Sequence, residues 1–347
     1  MGSSRLESSS RCASSEDVLI TVCCRYRFCW SIFLTAVLAQ QIEVCAESSE
    51  LPLPAQPGRF VVTTTVGGFS RTTHIHIPAG YKPQSPLPLV LVLHGAGGNG
   101  RVVLDHDRWA ASAERNNFLV AAPDGLPAFP GRPPNFRKNP SLWNSGQLSS
   151  RSPRAAVDDV AYIRQLLDDL KVRLPYDPRR VYCCGHSNGG TMTFRLAADL
   201  SDRFTAIGTV AGNLAVEVPR IKRPMPTLCF FGTKDPLMPL NGGEVQLPWG
   251  NRRNPPVLES LSGWANALGC ETRPTSISKL EGVEKLQYPS KSAGPTLTVL
   301  LIEDHGHQWP GSKSFLPELL TGPVVARLDA TETLWEFFSS TVLPEAK

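Results

Sequence analysis

Hydrophobic and polar positions follow different patterns in different parts of the chain. Residues 59–66 (RFVVTTTV) and 72–77 (TTHIHI) alternate in polarity, which is typical of paired antiparallel strands. Residues 87–95 (LPLVLVLHG) form a continuous apolar run that ends in glycine, as expected for a strand buried on both faces. Residues 157–173 carry apolar side chains at helical spacing along one face. The pattern therefore predicts both strands and amphipathic helices.

Further elements continue this alternation toward the C-terminus. Strands are predicted at 117–125, 180–187, 204–212, 227–235 and about 296–303, and helices at 101–116, 189–200, about 257–268 and about 328–341. Loops rich in proline and glycine fill the stretch before residue 154 and residues 236–256. Strands that alternate with helices indicate an α/β fold, in which helices cover both faces of a mostly parallel central sheet.

One folded domain accounts for most of the chain. No linker divides residues 59–343, so we expect a single α/β domain over 59–347. A Pro-rich lead-in at 47–58 precedes this domain, and a leader at 1–46 precedes the lead-in.

The leader has the composition of an export signal. Residues 1–16 are polar and rich in serine, and Arg25 and Arg27 then precede an apolar run at 28–39. A basic flank followed by about a dozen apolar residues is typical of a secretory signal peptide, and a membrane span needs about 20 residues. We therefore expect a secreted or periplasmic protein without stable membrane insertion after leader removal. An uncleaved anchor and a buried N-terminal helix are the alternatives.

Composition sets limits on partners and cofactors. Charged residues make up 19% of the chain, the net charge is +4 with neutral histidines, and no long basic run occurs. The sequence therefore has no electrostatic footprint for a nucleic-acid partner. Cysteines and histidines are not spaced as in zinc sites, so we expect no zinc site.

Several polar or reactive residues have structural interpretations. His74 and His76 share one face of a predicted strand, and the outer face of a sheet is favoured over a metal pair. Asp158 and Asp159 stand at the start of a predicted helix, where the helix dipole favours carboxylates. Cys270 could form a disulfide, although its spacing identifies no partner. Four cysteines follow the leader: Cys183, Cys184, Cys229 and Cys270.

The segment Gly185-His186-Ser187-Asn188-Gly189 matches the G-x-S-x-G pattern of a nucleophile elbow. An apolar strand is predicted before it and a helix after it. Glycines permit a tight turn that lifts the serine above the sheet edge, and the helix N-terminus supplies free N–H groups near a developing oxyanion. We therefore predict that Ser187 is a catalytic nucleophile. The alternative is a glycine-rich turn that packs or binds phosphate.

A serine nucleophile needs a base, and the base needs an acid that orients it. Asp235 ends a predicted strand and fits the acid, with a turn or helix-cap aspartate as its structural alternative. His307 follows a later predicted strand and fits the base, with His305 as its competitor. Glu303 and Asp304 are weaker candidates for the acid, because they lie very close in sequence to His307.

A glycine-rich segment from His94 to Gly98 follows an early predicted strand. Its backbone N–H groups can converge on one point. We expect Ala96 or Gly95 to complete an oxyanion hole together with Asn188. A flexible turn at the end of the strand is the structural alternative.

Three residues are candidates for substrate binding: His94, Trp143 and Trp309. His94 belongs to the glycine-rich segment, and tryptophans provide flat apolar walls that suit acyl or aryl groups. A core position is an almost equal interpretation for the two tryptophans.

Several motifs occur in one order along residues 60–343: VLHGAGG, AAPDG, Trp143-Asn144 followed by VDDVAYI, GHSNGG, FFGTKDPLMP, WANALGC and GHQWPG. Together they resemble the secreted polyhydroxybutyrate depolymerases and feruloyl esterases, a family similar to carbohydrate esterase family 1. The resemblance implies an α/β-hydrolase fold and ester hydrolysis through an acyl-enzyme, without metal or cofactor. By motif position, it puts the nucleophile on Ser187, the acid on Asp235 and the base on His307. The family more often has glycines where this chain has Asp304-His305.

The expected partner is an ester substrate, either a polymer or a plant cell-wall ester. Hydroxybutyrate, ferulate and acetate are alternatives for the acyl group. Two other functions stay open. An inactive hydrolase-fold protein could bind a polymer or carbohydrate, although an intact set of Ser, Asp and His argues against it. A serine peptidase of the same fold would cleave aminoacyl anilides and spare simple esters.

Overall fold

The computed structural model describes residues 56–217, 221–247, 250–313 and 316–344. Within these ranges the chain forms fourteen strands: β1 Gly58–Val66, β2 Phe69–Ile77, β3 Leu87–Leu93, β4 Leu119–Pro123, β5 Leu126–Pro127, β6 Ser141–Leu142, β7 Tyr176–His186, β8 Ala206–Val210, β9 Thr227–Gly232, β10 Gly243–Leu247, β11 Gly250–Asn254, β12 Thr275–Leu280, β13 Val283–Tyr288 and β14 Leu297–Ile302. The same ranges form seven α-helices: α1 Gly100–His106, α2 Trp109–Asn116, α3 Asp159–Arg173, α4 Asn188–Asp199, α5 Val257–Leu268, α6 Glu318–Thr321 and α7 Ala330–Ser339. None of these helices is long and apolar enough to cross a membrane. The predicted leader and most of the lead-in lie outside the described residues.

Ten strands form one sheet in the order β1-β2-β4-β3-β7-β8-β9-β14-β13-β12. The six strands from β4 to β14 in this order run parallel to one another. Antiparallel strands extend both edges. Strand β3 is buried along its whole length, as its uninterrupted apolar run predicts. The mostly parallel central sheet is thus confirmed.

Helices cover both faces of this sheet, as two neighbouring residues of β7 demonstrate. The ring of Tyr182 stacks on Phe338 of α7, with ring centroids 4.8 Å apart. The Sγ atom of Cys183 lies 3.9 Å from Thr193 Oγ1 of α4. Because successive side chains of a strand point to opposite faces, α7 and α4 lie on opposite sides of the sheet.

The helix predicted at 101–116 is two helices, α1 and α2. Asp107 and Arg108 separate them, and Arg108 adopts a left-handed backbone conformation with φ of 62°. A helix cannot continue through that conformation. The break lets α2 begin at Trp109, whose side chain is completely buried.

Two hairpins are absent from the sequence prediction. Strands β10 and β11 pair within residues 236–256, which were expected to be irregular, and β12 pairs with β13 at the sheet edge. Every residue of β12 is exposed. An edge strand without a buried face lacks the polarity alternation that identifies strands in a sequence.

The histidine pair on β2 is covered by helix α2 and does not lie on an open outer face. His76 is 5% exposed, and its Nε2 lies 2.9 Å from Glu114 Oε1 of α2. His74 Nε2 lies 3.5 Å from Asp124 Oδ2. Each histidine therefore has its own carboxylate, and no group of three or more metal-ligating side chains occurs among the described residues.

The four cysteines beyond the predicted leader are buried free thiols. Burial raises the pKa of Cys183 and of Cys229 to about 12, so both thiols stay uncharged at neutral pH. Cys270 forms no disulfide with another described cysteine, and its Sγ donates to the carbonyl oxygen of Pro295 at 3.3 Å. The disulfide that the sequence left open is therefore not formed within the described part of the chain.

Two buried arginines share one buried carboxylate at the start of α3. Asp159 Oδ1 accepts from Arg71 Nη2 at 2.8 Å, and Asp159 Oδ2 forms an ion pair with Arg154. The same Oδ2 accepts from the backbone N–H of Asn144 at 2.7 Å. All three charged side chains are 1% exposed or less. The network therefore ties strand β2 to α3 and to the loop that contains Asn144.

We predict that Asp159→Asn lowers the free energy of unfolding by about 3 kcal/mol, because it leaves two buried guanidinium groups without a counter-ion. Equilibrium unfolding in urea measures this change. The matched control is Asp158→Asn. Asp158 is exposed and caps α3 by accepting from Ala161 N at 2.9 Å, and asparagine caps a helix almost as well as aspartate. Equal losses in the two variants would contradict the role assigned to Asp159.

Candidate active site

Ser187, Asp235 and His307 follow three parallel strands of the central sheet. Ser187 follows β7, Asp235 lies just beyond β9, and His307 lies just beyond β14. Because the carboxyl ends of parallel strands meet at one sheet edge, residues far apart in sequence come together there. The three predicted residues accordingly lie in hydrogen-bonding contact.

Ser187 occupies a sharp turn between β7 and α4. Its φ of 52° and ψ of −117° are rare for a residue with a side chain and store backbone strain. A Cβ atom on Gly185 would lie 2.5 Å from Gly189 O, and one on Gly189 would lie 2.4 Å from Leu93 O. Only glycine fits at both positions, as the sequence pattern suggested for an elbow.

One hydrogen-bond chain joins the three side chains. Ser187 Oγ lies 2.8 Å from His307 Nε2, and His307 Nδ1 lies 2.7 Å from Asp235 Oδ2. A neutral imidazole that donates from Nδ1 to the carboxylate accepts at Nε2 from the serine hydroxyl. The hydroxyl proton of Ser187 thus has an acceptor already in position.

Asp235 stays ionised although it is 4% exposed. Burial alone would raise the pKa of this carboxyl. The neighbouring His307 opposes that effect through its charge and its hydrogen bond, and the backbone N–H groups of Leu237 and Met238 both donate to Oδ1 at 2.8 Å. Together these contacts hold the pKa of Asp235 below its usual value.

His305, the competing candidate for the base, does not contact Ser187. Its Nε2 donates to the carbonyl oxygen of Gln308 at 2.9 Å, and its Nδ1 accepts from Val325 N at 3.3 Å. Both ring nitrogens are thus used by backbone groups on the two sides of α6. Asp304 points outward with a side chain 57% exposed. The geometry therefore favours His307 as the base and Asp235 as the acid.

The residues expected to form an oxyanion hole border the same cavity as Ser187. Gly95, Ala96 and Asn188 all line it, and a Cβ atom on Gly95 would lie 3.5 Å from Ser187 Cβ. Asn188 is the first residue of α4, where backbone N–H groups have no partner within the helix. Its side chain exchanges hydrogen bonds with the backbone of Trp143 at 2.7 and 3.2 Å, which fixes the start of the helix.

The three predicted substrate-binding residues are buried, and none of them lines the cavity. His94 Nε2 accepts from Gly125 N at 2.8 Å, and Trp143 Nε1 donates to His94 O at 3.0 Å. Trp309 Nε1 donates to Thr331 Oγ1 at 3.0 Å. In the structure the polar atoms of these three side chains hold loops together, and their role in substrate binding stays a prediction.

The cavity around Ser187 has a volume of about 680 Å³. Leucines form much of its wall, including Leu237, Leu247, Leu319 and Leu320. Its polar side chains include Gln147 and Arg252. Sequence patterns did not identify these residues because they lie in loops, in the β10–β11 hairpin and in the one-turn helix α6, where no motif or periodicity marks a side chain as facing a site.

Comparisons with known proteins agree with this geometry. The sequence model of the Esterase family, described as "Putative esterase", matches residues 65–282. "Putative esterase NocK" of Nocardia uniformis subsp. tsuyamanensis is 26% identical over 311 residues, which cover 82% of this chain and 85% of that protein. Feruloyl esterase B of Piromyces equi is 25% identical over 247 residues, which cover 68% of this chain and 42% of that protein.

A solved structure shares the fold. The acetyl xylan esterase from Aspergillus awamori superposes with a TM-score of 0.54 and 13% identity, over 81% of this chain and 99% of that chain. With the parallel sheet, the helices on both faces and the family match, the fold is the α/β-hydrolase fold. The chain belongs to the Esterase family and is a carboxylic ester hydrolase.

Proposed function

We propose that Ser187 attacks the carbonyl carbon of a carboxylic ester, with His307 as the general base and Asp235 as the acid that orients it. The observation that supports this mechanism most strongly is the unbroken hydrogen-bond chain from Ser187 Oγ through both nitrogens of His307 to Asp235 Oδ2. Both links have the length that proton transfer and orientation require.

In the first half of the reaction, Ser187 Oγ forms a bond to the ester carbon while its proton passes to His307 Nε2. The negative oxygen of the tetrahedral intermediate accepts hydrogen bonds from the N–H groups of Asn188 and of Ala96 or Gly95. His307 then gives the proton to the departing alkoxide as the carbon–oxygen bond breaks. The ionised Asp235 stabilises the imidazolium that exists between these steps.

Water completes the cycle. His307 takes a proton from a water molecule while the water oxygen bonds to the acyl carbon. The second tetrahedral intermediate collapses, Ser187 Oγ leaves and recovers the proton from His307, and the carboxylic acid departs. Every proton that moves in this scheme passes through His307.

We propose that the substrate is a polyhydroxyalkanoate, feruloyl or acetyl-polysaccharide ester met outside the cytoplasm. The basic flank and apolar run at residues 25–39 support export. The names of the relatives, feruloyl esterase B and a bifunctional acetylxylan esterase/xylanase, support an ester on a polymer. The chain spans less than half the length of these two relatives.

We predict that Ser187→Ala lowers kcat for p-nitrophenyl butyrate by about 10⁴-fold or more, because no other group is placed to form the acyl-enzyme. Initial-rate measurements check this loss. The control is Ser278→Ala, on the exposed edge strand β12, which should keep the wild-type rate. Equal rates for wild type and Ser187→Ala would rule out the nucleophile.

The same proteins distinguish the two other functions. A fluorophosphonate probe that labels the peptide with Ser187 supports a working serine hydrolase, and absence of labelling would favour an inactive binding protein. Cleavage of aminoacyl anilides without cleavage of simple esters would favour a peptidase. The continuous hydrogen-bond chain at Ser187 argues against the inactive protein.

His186 supports the proposed base from the neighbouring position. Its Nε2 donates to the carbonyl oxygen of His307 at 2.6 Å. Burial, together with the nearby His307, lowers the pKa of His186 to about 3. His186 is therefore neutral at the pH values where esterases are assayed, and it acts as a fixed donor that holds the backbone of His307.

The lowered pKa of His186 predicts a pH-dependent stability. In the unfolded chain the histidine pKa is near 6.5, so between pH 6.5 and about 3 the unfolded state binds one proton that the folded state does not. Stability is then complete above pH 6.5 and falls as the pH decreases through this window.

We predict that His186→Gln, which keeps an N–H donor, loses less stability than wild type between pH 7.5 and pH 5. The difference should be on the order of 1 kcal/mol, because His186 borders the cavity and water screens part of the effect. Urea unfolding at the two pH values measures it. Identical pH dependence in the two proteins would contradict the lowered pKa.

A further inference from the structure

One cationic side chain borders the cavity that contains Ser187. Arg252 of β11 is half-buried, and it lines this cavity together with Gln147 and Leu237. Among the described residues that line the cavity, Arg252 is the only ionisable side chain other than His186 and His307. The charge in the wall is therefore positive.

Neutral groups hold the guanidinium in place. Arg252 Nη1 donates to Gln147 Oε1 at 3.2 Å, and Nη2 donates to the carbonyl oxygen of Leu237 at 3.2 Å. Both contacts fix the direction of the side chain without neutralising its charge. Each of these two nitrogens carries a second N–H, so the group can still donate toward the cavity.

Arg252 differs in this respect from the buried arginines of the interior. Arg71 and Arg154 both pair directly with the carboxylate of Asp159, as buried charges normally do. No carboxylate of the described residues pairs with Arg252 within 4.0 Å. Asp235 attracts the Arg252 charge, but its two oxygens are occupied by His307, Leu237 N and Met238 N.

Removing a cation partly from water costs free energy, and this cost is offset only when an anion pairs with the cation. The wall around it is apolar, with Leu237 and Leu247 on the same cavity. This combination suits a ligand in which a short hydrocarbon segment separates the reacting carbonyl from a negative group. A guanidinium is suited to carboxylates in particular, since its planar N–H groups match the two carboxylate oxygens.

We propose that Arg252 determines specificity and that the site accepts esters whose acyl or alcohol part carries a free carboxylate. This inference rests on the proposed ester hydrolysis at Ser187. An oligomer of a hydroxy acid carries such a carboxylate at its end, whereas methyl ferulate and a simple acetyl ester do not. Arg252 binds the carboxylate and takes no part in proton transfer.

Two pairs of substrates test this specificity. Mono-p-nitrophenyl adipate and p-nitrophenyl methyl adipate differ by a carboxylate on the acyl part. The second pair, 4-(butyryloxy)benzoate and 4-(butyryloxy)benzamide, differs by a carboxylate on the alcohol part. We expect the wild-type enzyme to prefer the anionic member of at least one pair by about tenfold in kcat/KM, the factor that one charge-assisted hydrogen bond supplies.

The variants assign this preference to one side chain. Arg252→Gln should reduce the anionic-to-neutral ratio of kcat/KM to near one, and Arg252→Lys should retain part of it because the charge is kept. Arg253→Gln is the matched control, since Arg253 is the next residue of β11 and is exposed. It should preserve the wild-type ratio.

The outcomes separate this inference from the proposed function. Hydrolysis of both members of each pair at equal kcat/KM by wild type overturns the inference and leaves ester hydrolysis intact, even if no variant folds. An unchanged ratio in Arg252→Gln, or an equal fall of the ratio in Arg253→Gln, also overturns it. Failure of wild type to hydrolyse any of the four esters overturns the proposed function itself.

Discussion

The turn at Ser187 constrains the rest of the active site. A φ of 52° on a serine persists only where the surrounding structure enforces it. Helix α4 approaches strands β7 and β3 so closely that Gly185 and Gly189 cannot be replaced without displacing backbone. Strand β8 holds the other side, because Ser187 N donates to Val210 O at 2.8 Å. The sheet thus fixes the position of Ser187. His307 and Asp235 follow strands that end at the same edge, and they complete the hydrogen-bond chain there.

The buried ion network around Asp159 also fixes the loop that contains Trp143 and Asn144. Asn188 binds the backbone of Trp143, and Asn144 binds Asp159, which pairs with two buried arginines. These two adjacent residues are therefore held by the first turn of α4 and by charges in the interior. The ring of Trp143 is enclosed and its Nε1 donates to His94 O, so this side chain also positions the loop.

The parallel core of the fold and the residues at its edge could be predicted from the sequence because both depend on local patterns. Continuous apolar runs identify strands buried on both faces, and glycines around Ser187 identify a turn that only glycine permits. Strands β10, β11 and β12 could not be predicted, because most of their side chains are exposed and no hydrophobic face marks them. Nor could the burial of His94, Trp143 and Trp309 be predicted from the sequence. Residue type indicates what a side chain can bind, but only packing determines whether it is accessible.

Packing and contacts, and not residue type, likewise distinguish charged residues that stabilise the fold from those available to a ligand. A buried arginine that stabilises the fold has a carboxylate partner within the chain, as Arg71 and Arg154 do. Arg252 hydrogen-bonds only to neutral groups and borders the cavity, which leaves its guanidinium able to pair with an anion that enters. It also lies on a hairpin outside the central sheet that carries Ser187. The sheet edge can thus fix the catalytic residues while Arg252 on the β10–β11 hairpin selects among esters.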